Sequence, residues 1–146
     1  MYTIGQISMM FNLPISTLRY YDKKGLFPDM QRRSGIRQFS ETEIENLRMI
    51  ECLKKSGLEI KDIKQFMDWC GEGSKTYVQR REMFIKQHKN VAEEIAKMQK
   101  VLSMLHYKCW YYEQAILDGN EDRLHQITPE EMSEEIRQAY MNAHEA

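Results

Sequence analysis

The 146-residue sequence contains few residues that interrupt or cross-link a chain: three prolines, seven glycines and three cysteines. Because the cysteines are odd in number and widely spaced, they argue against a disulfide framework and favour a reducing cytoplasm. No Cys-x-x-Cys pair occurs, which argues against a soft-metal thiolate site, and we expect neither metal nor cofactor. No apolar run approaches the roughly 18 residues of a membrane span, and the start lacks a signal-peptide pattern, so we expect no membrane partner.

Positive charge is concentrated at the start of the chain, although the net charge is only −1. Residues 1–40 contain six lysines and arginines against two acids, whereas residues 118–146 contain two arginines against eight acids. A basic first part followed by an acidic tail predicts a polyanionic partner for the first part.

The pattern of caps and glycine turns predicts a mainly α protein that begins with a winged helix-turn-helix domain over residues 1–72. Residues 3–6 (TIGQ) and 40–43 (SETE) have capping-box spacing, so each predicts the start of a helix. Gly25 is expected to end the second helix in a left-handed cap. Alternation around Ser34-Gly35 predicts the short hairpin that would form the wing.

A regular apolar repeat follows this first part of the chain. Its members are Phe84, His88, Val91, Ile95, Met98, Leu102, Leu105, Cys109, Tyr112 and Ile116, spaced alternately four and three residues apart. This heptad pattern predicts a long coiled-coil dimerisation helix over residues 73–117. We expect the coiled coil to be antiparallel. Because the small first domain cannot bury one seam on so long a helix, we expect a second copy of the chain as partner. His88 and Cys109 are then expected to be packed core residues.

The remaining segment, residues 118–146, is predicted to be a C-terminal effector or tail segment. Thr128 as N-cap, Pro129 at the first position and two following glutamates predict one last short helix. Some 30 residues after Ile116 are too few for a separate ligand-binding domain.

In a winged helix-turn-helix unit, the second helix enters the DNA major groove with its N-terminal half, and the wing reaches flanking phosphates. The candidate contacts are Ser16, Thr17, Arg19, Tyr20, Tyr21, Lys24, Arg32, Arg33 and Arg37. A competing interpretation places Leu18 and one tyrosine in the core and leaves the lysines solvated at a helix end. It does not explain six cations against two acids on these elements.

Three stretches together resemble the MerR family of bacterial transcription regulators. They are YTIGQIS (2–8), STLRYYDKKGLF (16–27) and SGIRQFSETEIENLRMIECLKKSGLEIKDIK (34–64). The resemblance implies a homodimer that places two recognition helices in successive major grooves of a near-palindromic promoter operator. It also implies that the dimer distorts this DNA in response to an effector so that RNA polymerase can engage promoter elements set too far apart.

The resemblance also implies roles for particular residues. DNA contacts transfer to Thr17, Arg19, Tyr20 and Tyr21 of the recognition helix, and to Arg33 and Arg37 of the wing. Lys54 or Lys55 is expected to form a second phosphate-contacting wing. Phe39 stands where family members often carry tyrosine, so any hydroxyl contact from that position is absent here.

Two regions are candidates for sensing a small molecule. Cys52 lies in a segment that resembles the aldehyde- and thiol-stress-responsive branch of the family, and nearby cations would favour its thiolate. The alternative is that Cys52 is a buried small hydrophobe. The second candidate is the aromatic cluster of Tyr107, Trp110 and Tyr111, which could line a ligand pocket or pack against the partner's DNA-binding domain.

Three classes of function therefore compete. The leading interpretation is a MerR-type transcription regulator, which is not an enzyme and whose effector is unknown. The alternative is a coiled-coil interaction module without sequence-specific DNA binding. A third interpretation is a thiol enzyme using Cys52 or Cys109, and no histidine lies near Cys52 in sequence to support it there.

Overall fold

The computed structural model describes residues 1–145 and is mainly helical, with one two-stranded antiparallel sheet. Its elements in chain order are α1 (Ile4–Phe11), α2 (Ile15–Lys23), β1 (Gln31–Arg33), β2 (Ile36–Gln38), α3 (Glu41–Lys55), α4 (Ile60–Gly71), α5 (Tyr77–Asp118), α6 (Asp122–Gln126) and α7 (Glu134–His144). Short 3₁₀ turns cover Gly73–Thr76 and Pro129–Glu131. The predicted fold class, a helix-turn-helix with a small wing followed by a long helix, is confirmed.

Local signals in the sequence set the starts and ends of the first helices. The capping boxes at Thr3 and Ser40 both form, each with the side chain three residues later bonded back to the backbone of the cap. Asn12 adopts a left-handed conformation at the end of α1, and Gly25, with φ of +80°, follows α2. The interruption at Asn12 separates α1 from α2 and forms the turn of a helix-turn-helix, and Gly25 ends the unit.

The wing is a hairpin whose turn consists of two residues. Ser34 and Gly35 have φ of 52° and 77°, the left-handed pair of a type I′ turn, whose twist matches that of the strands. The register places Arg32 opposite Arg37 and Arg33 opposite Ile36. The predicted hairpin is therefore confirmed, and its strands present arginines on both sides of the turn.

One apolar core joins the helix-turn-helix to the wing and to the two helices that follow. Its buried members are Ile7, Leu18, Tyr21, Leu26, Phe27, Phe39, Ile44, Leu47, Ile50, Leu58 and Ile63. Each fully buried Leu or Ile contributes roughly 1.5–3 kcal/mol. Phe39 packs edge-on against Phe27, with ring centroids 5.6 Å apart, and pairs with Tyr2 through two backbone hydrogen bonds. The expectation that Leu18 and one tyrosine are core residues is confirmed.

The chain forms two compact units, residues 1–89 and residues 90–145, and the boundary falls within the 42-residue helix α5. Most of the apolar seam predicted on α5 is exposed along this chain, with Ile95 at 56%, Leu102 at 61% and Ile116 at 81%. His88 and Cys109 are exposed along this single chain, so the expectation that they pack in the seam stays a prediction. Their packing depends on a partner helix.

In the second unit, α6 and α7 pack on the C-terminal half of α5. Leu124, Met132, Ile136 and Ala139 are buried there, and Tyr140 of α7 meets Tyr107 of α5 with centroids 5.1 Å apart. The sequence interpretation missed α6. It also placed the start of the last helix too early, because Pro129 opens only a 3₁₀ turn and Ser133 caps α7 by accepting from the N–H of Ile136.

Across residues 1–145, no helix is both long and apolar enough to cross a bilayer. Over the same range, no group of three or more His, Cys, Asp or Glu side chains is arranged to hold a metal ion.

Replacing Gly25 by Ala should lower the free energy of unfolding by about 1–2 kcal/mol. At φ of +80°, an added Cβ is strained by its own backbone and also lies 3.0 Å from Cε of Lys64. Chemical denaturation monitored by circular dichroism would measure the change. Gly71→Ala is the matched control, because Gly71 ends α4 with nothing within 4 Å of the added Cβ. The stability of this variant should not fall. Equal stability of the two variants would contradict the proposed strain.

Candidate nucleic-acid interface

Helix α2 presents a polar, cationic face opposite its buried residues. Ser16, Arg19 and Tyr20 are exposed and Thr17 is half-buried, whereas Leu18 and Tyr21 face the core. Leu18 and Tyr21 are three residues apart and therefore share one face of the helix. The N-terminal half of α2 can thus offer hydroxyl and guanidinium groups to a ligand while the opposite face anchors the helix.

Asp22 joins α2 to both strands of the wing. Its Oδ2 accepts from Nη2 of Arg32 at 2.6 Å and from Nε of Arg37 at 2.7 Å, and the carboxylate side chain is only 9% exposed. Arg32 and Arg37 face each other across the hairpin, where like charges repel, so the shared carboxylate offsets that repulsion. Arg37 uses Nε for this bond, which orients its guanidinium at the junction of helix and wing.

The tip of the wing combines a cation with an apolar side chain. Arg33 is exposed, and its cross-strand neighbour Ile36 is 61% exposed. Arg33 therefore has the freedom to meet a phosphate that the sequence interpretation assigned to it.

Tyr21 occupies a different place from the one predicted for it. The side chain is 1% exposed; its hydroxyl donates to Oε1 of Glu51 at 2.8 Å and accepts from Nζ of Lys54 at 2.8 Å. Burial raises the pKa of Tyr21, and the bond to Tyr21 raises the pKa of Lys54. Because Tyr21 is buried, we revise its role from direct contact with DNA to support of Lys54 at the surface.

Lys54 lines an open groove of about 640 Å³, which we call the basic groove. It is formed by Tyr20, Lys24, Lys54, Leu58, Glu59, Ile60, Lys61 and Lys64. Tyr20 belongs to α2 and Lys24 directly follows it, and the others belong to the end of α3, the connection after it and the start of α4. Four lysines against one glutamate give the basic groove a positive charge that suits phosphate. Of the two lysines considered for a second wing, the structure places Lys54 in the groove.

Sequence reasoning missed four contributors to this surface: Asp22, Glu51 and the α4 lysines, Lys61 and Lys64. Asp22 and Glu51 act through partners 10 to 30 residues away along the chain, and spacing alone carries no signal for such contacts. A partial signal existed for Asp22, because it is one of only two acids among the first 40 residues.

Cys52 is exposed on α3, so the alternative that it is a buried small hydrophobe is wrong. Cys70 and Cys109 are exposed as well. A role for Cys52 in sensing an electrophile stays a prediction.

The aromatic cluster of Tyr107, Trp110 and Tyr111 packs on neighbouring elements of its own unit. The ring of Tyr107 contacts those of Trp110, Tyr111 and Tyr140, with centroids 5.1–6.2 Å apart. The hydroxyl of Tyr111 donates to Glu121 at 2.8 Å, and this bond raises the pKa of Tyr111 to about 12. Burial, followed by the proximity of Tyr140, raises the pKa of Tyr107. The cluster therefore fastens α6 and α7 to α5, and a role in ligand binding stays a prediction.

Asp22→Asn should lower the free energy of unfolding by about 1–2 kcal/mol, because it removes the charge shared by two arginine hydrogen bonds at a partly screened site. Denaturant unfolding at low salt would measure the loss, which should shrink as salt is added. Asp29→Asn is the matched control, since Asp29 is exposed and forms no ion pair within residues 1–145. Equal effects of the two substitutions would show that Asp22 does not stabilise the junction.

Comparisons with known proteins agree with this geometry. Residues 2–69 match the family model described as MerR HTH family regulatory protein. An HTH-type transcriptional regulator of Haemophilus influenzae is 36% identical over 115 residues, which span 78% of this chain and 85% of that protein.

Two solved structures are similar over most of their length. The crystal structure of HiNmlR, a MerR family regulator lacking the sensor domain and bound to promoter DNA, matches with 35% identity and a TM-score of 0.66, over 82% of this chain and 95% of that one. A MerR family regulator from Bacillus thuringiensis matches with 45% identity and a TM-score of 0.61, over 74% and 96%. The helix-turn-helix, the wing and these likenesses together show that the chain belongs to the MerR family of HTH regulatory proteins.

Proposed function

We propose that the protein is a homodimeric transcription regulator that binds a near-palindromic promoter operator and controls transcription by distorting the DNA. The observation that carries this proposal is the continuity of the cationic surface around α2. Asp22 ties α2 to the wing arginines, and Tyr20 of the same helix and Lys24 at its C-terminal end line the basic groove. A recognition helix is thus flanked by two groups of cations, both fixed to it.

The side chains divide into two kinds of contact. Ser16, Thr17 and Arg19, on the N-terminal half of α2, read base edges in the major groove, where arginine pairs with guanine in a bidentate manner. Tyr20, Lys24, Arg33, Arg37 and Lys54 contact the sugar-phosphate backbone, which fixes the register of the protein but carries no sequence information.

The exposed seam of α5 supports dimerisation through a second copy. In the second unit, α7 contacts α5 at Ser103 and Tyr107, and Glu145, directly after α7, contacts it at Lys100. At 100° per residue, these positions lie roughly opposite Leu102 and Leu105 on the helix. The protein's own C-terminal helix therefore leaves the seam open, and an antiparallel copy would bury it. A two-fold axis then presents two recognition helices to the two halves of an operator.

Control of transcription follows from the family mechanism. Bending or underwinding the operator costs energy that depends on its sequence, so a dimer with two conformations can shift the spacing of promoter elements for RNA polymerase. An effector acts by favouring one of the two forms. As a regulator of bacterial promoters, the protein works in the cytoplasm and performs no catalysis, in line with relatives that are transcription regulators.

The decisive experiment separates DNA binding from a protein-interaction role. A duplex selected from a random pool with the wild-type protein is titrated at salt concentrations from about 50 to 200 mM. Binding through several phosphates should give log K that falls steeply and linearly with log salt. Affinity that is absent, or indifferent to salt, would instead favour the interaction-module alternative.

Arg19→Ala should reduce affinity for the selected duplex by about 1–3 kcal/mol, the value of one bidentate contact with a base. The loss should be larger for the selected sequence than for a scrambled duplex, while the dimer persists in sedimentation. Arg81→Ala serves as the control, because Arg81 is an exposed arginine of α5 away from this surface. Unchanged binding by Arg19→Ala would remove Arg19 from the readout.

Ile95→Asp should convert the dimer to monomers, since it places a charge on each side of a buried apolar seam. Ala96→Asp introduces the same charge at the next residue, which is exposed and off the seam, and should remain dimeric. Sedimentation velocity would distinguish the two. Leu102→Asp repeats the test one heptad later, and intact dimers for both seam variants would place the interface on another face.

A further inference from the structure

Each of the two adjacent tyrosines of α2 holds one lysine of the basic groove. Nζ of Lys24 lies 5.6 Å from the ring centroid of Tyr20, and Nζ of Lys54 lies 5.4 Å from that of Tyr21. Only Tyr21 also binds its lysine through the hydroxyl, at 2.8 Å. The two tyrosines therefore support cations of the same groove by different means.

The hydroxyl of Tyr21 lies between a carboxylate and an ammonium group. Nζ of Lys54 donates to the hydroxyl oxygen, and the hydroxyl proton is donated to Oε1 of Glu51, so both bonds run in one direction. Glu51 and Lys54 stand three residues apart on α3, a spacing at which a direct ion pair is common. Here the tyrosine hydroxyl takes the place of that direct contact.

The lysines of the basic groove differ in how their charge is compensated. Lys64 pairs with Asp68 at 2.6 Å, and Lys61 approaches Glu59 at 3.5 Å. Within residues 1–145, Lys24 and Lys54 form no ion pair with a carboxylate. Lys54 is thus a cation fixed by a neutral partner.

We propose that Tyr21 is a positioning residue that holds the ammonium of Lys54 in the basic groove, with no carboxylate bonded directly to it and aimed at a DNA phosphate. This inference rests on the proposed function, since it names the anion as the operator backbone. It assigns the second tyrosine of the pair to the support of one phosphate contact.

The physical advantage is that the Lys54 ammonium is held in place without a direct ion pair. A free lysine side chain loses rotamer entropy when it is fixed on a ligand. Tyr21 is locked in the core, so its hydroxyl restrains Lys54 before DNA arrives. One of the three ammonium donors is used by Tyr21, and the other two can bind phosphate oxygens. A carboxylate in the same place would compete with the phosphate.

The test is a double-mutant cycle on the selected duplex, with the salt dependence of binding as the readout. Tyr21→Phe keeps the buried ring and removes the hydroxyl, and Lys54→Met removes the charge but keeps an unbranched side chain. The steepness of the salt dependence is the slope of log K against log salt. Lys54→Met should reduce this steepness by about 1, as expected for the loss of one phosphate contact. Tyr21→Phe should weaken binding about 5-fold, the effect of one net hydrogen bond, and should also reduce the steepness.

In the Lys54→Met background, Tyr21→Phe should cause no further loss, because the lysine that it positions is already gone. The controls are Tyr77→Phe, which removes a hydroxyl from an exposed side chain of α5, and Lys86→Met, which removes an exposed charge. Neither should change the steepness.

Three results would separate the hypotheses. If the wild-type protein binds the duplex in a salt-dependent manner but Tyr21→Phe matches it in affinity and steepness, the positioning role is wrong. A loss that is undiminished in the Lys54→Met background would assign Tyr21 a purely structural role and also overturn the inference. Failure of the wild-type protein itself to bind duplex DNA would overturn the proposed function on which the inference rests.

Discussion

The cationic surface depends on the Asp22 carboxylate, which holds two mutually repelling arginines close together. Without Asp22, Arg32 and Arg37 would repel each other across the hairpin, and the wing would have no charged anchor on α2. The carboxylate is mostly shielded, so its bonds are screened less by salt than exposed pairs are. The angle between recognition helix and wing is therefore fixed within the protein, before any nucleic acid is bound.

Charge in this unit is arranged by compensation as well as by number. Arg32, Lys61 and Lys64 have carboxylate partners, whereas Arg33, Lys24 and Lys54 have none within the part of the chain that the structure describes. Cations that are bonded directly to a carboxylate are held in place on the surface. Those without such a bond remain available to bind an anion. A net charge near zero for the whole chain conceals this division, because most of the surplus acid lies in residues 118–146.

Features set by neighbouring residues could be predicted from the sequence. The capping boxes, the Ser34-Gly35 turn and the long helix follow from local chemistry, and all are present.

The exposure of Cys52 also had a signal, because Cys52 lies two residues, or about 200°, after the core residue Ile50. The start of the last helix was misplaced because a proline at a first turn serves a 3₁₀ turn as well as an α-helix. The bonds of Asp22 and Tyr21 join residues far apart in sequence, so only the folded structure could supply them.

The opposite faces of α5 separate the packing of the tail from self-association. In the second unit, α7 packs on the side of Ser103 and Tyr107, while the apolar seam with Leu102 and Leu105 stays free. Substitutions that reshape the C-terminal helices act on one face of α5, and those that change self-association act on the other. The segment after Asp118 can therefore be altered without covering the apolar seam, so changes in the tail and changes in self-association are physically independent.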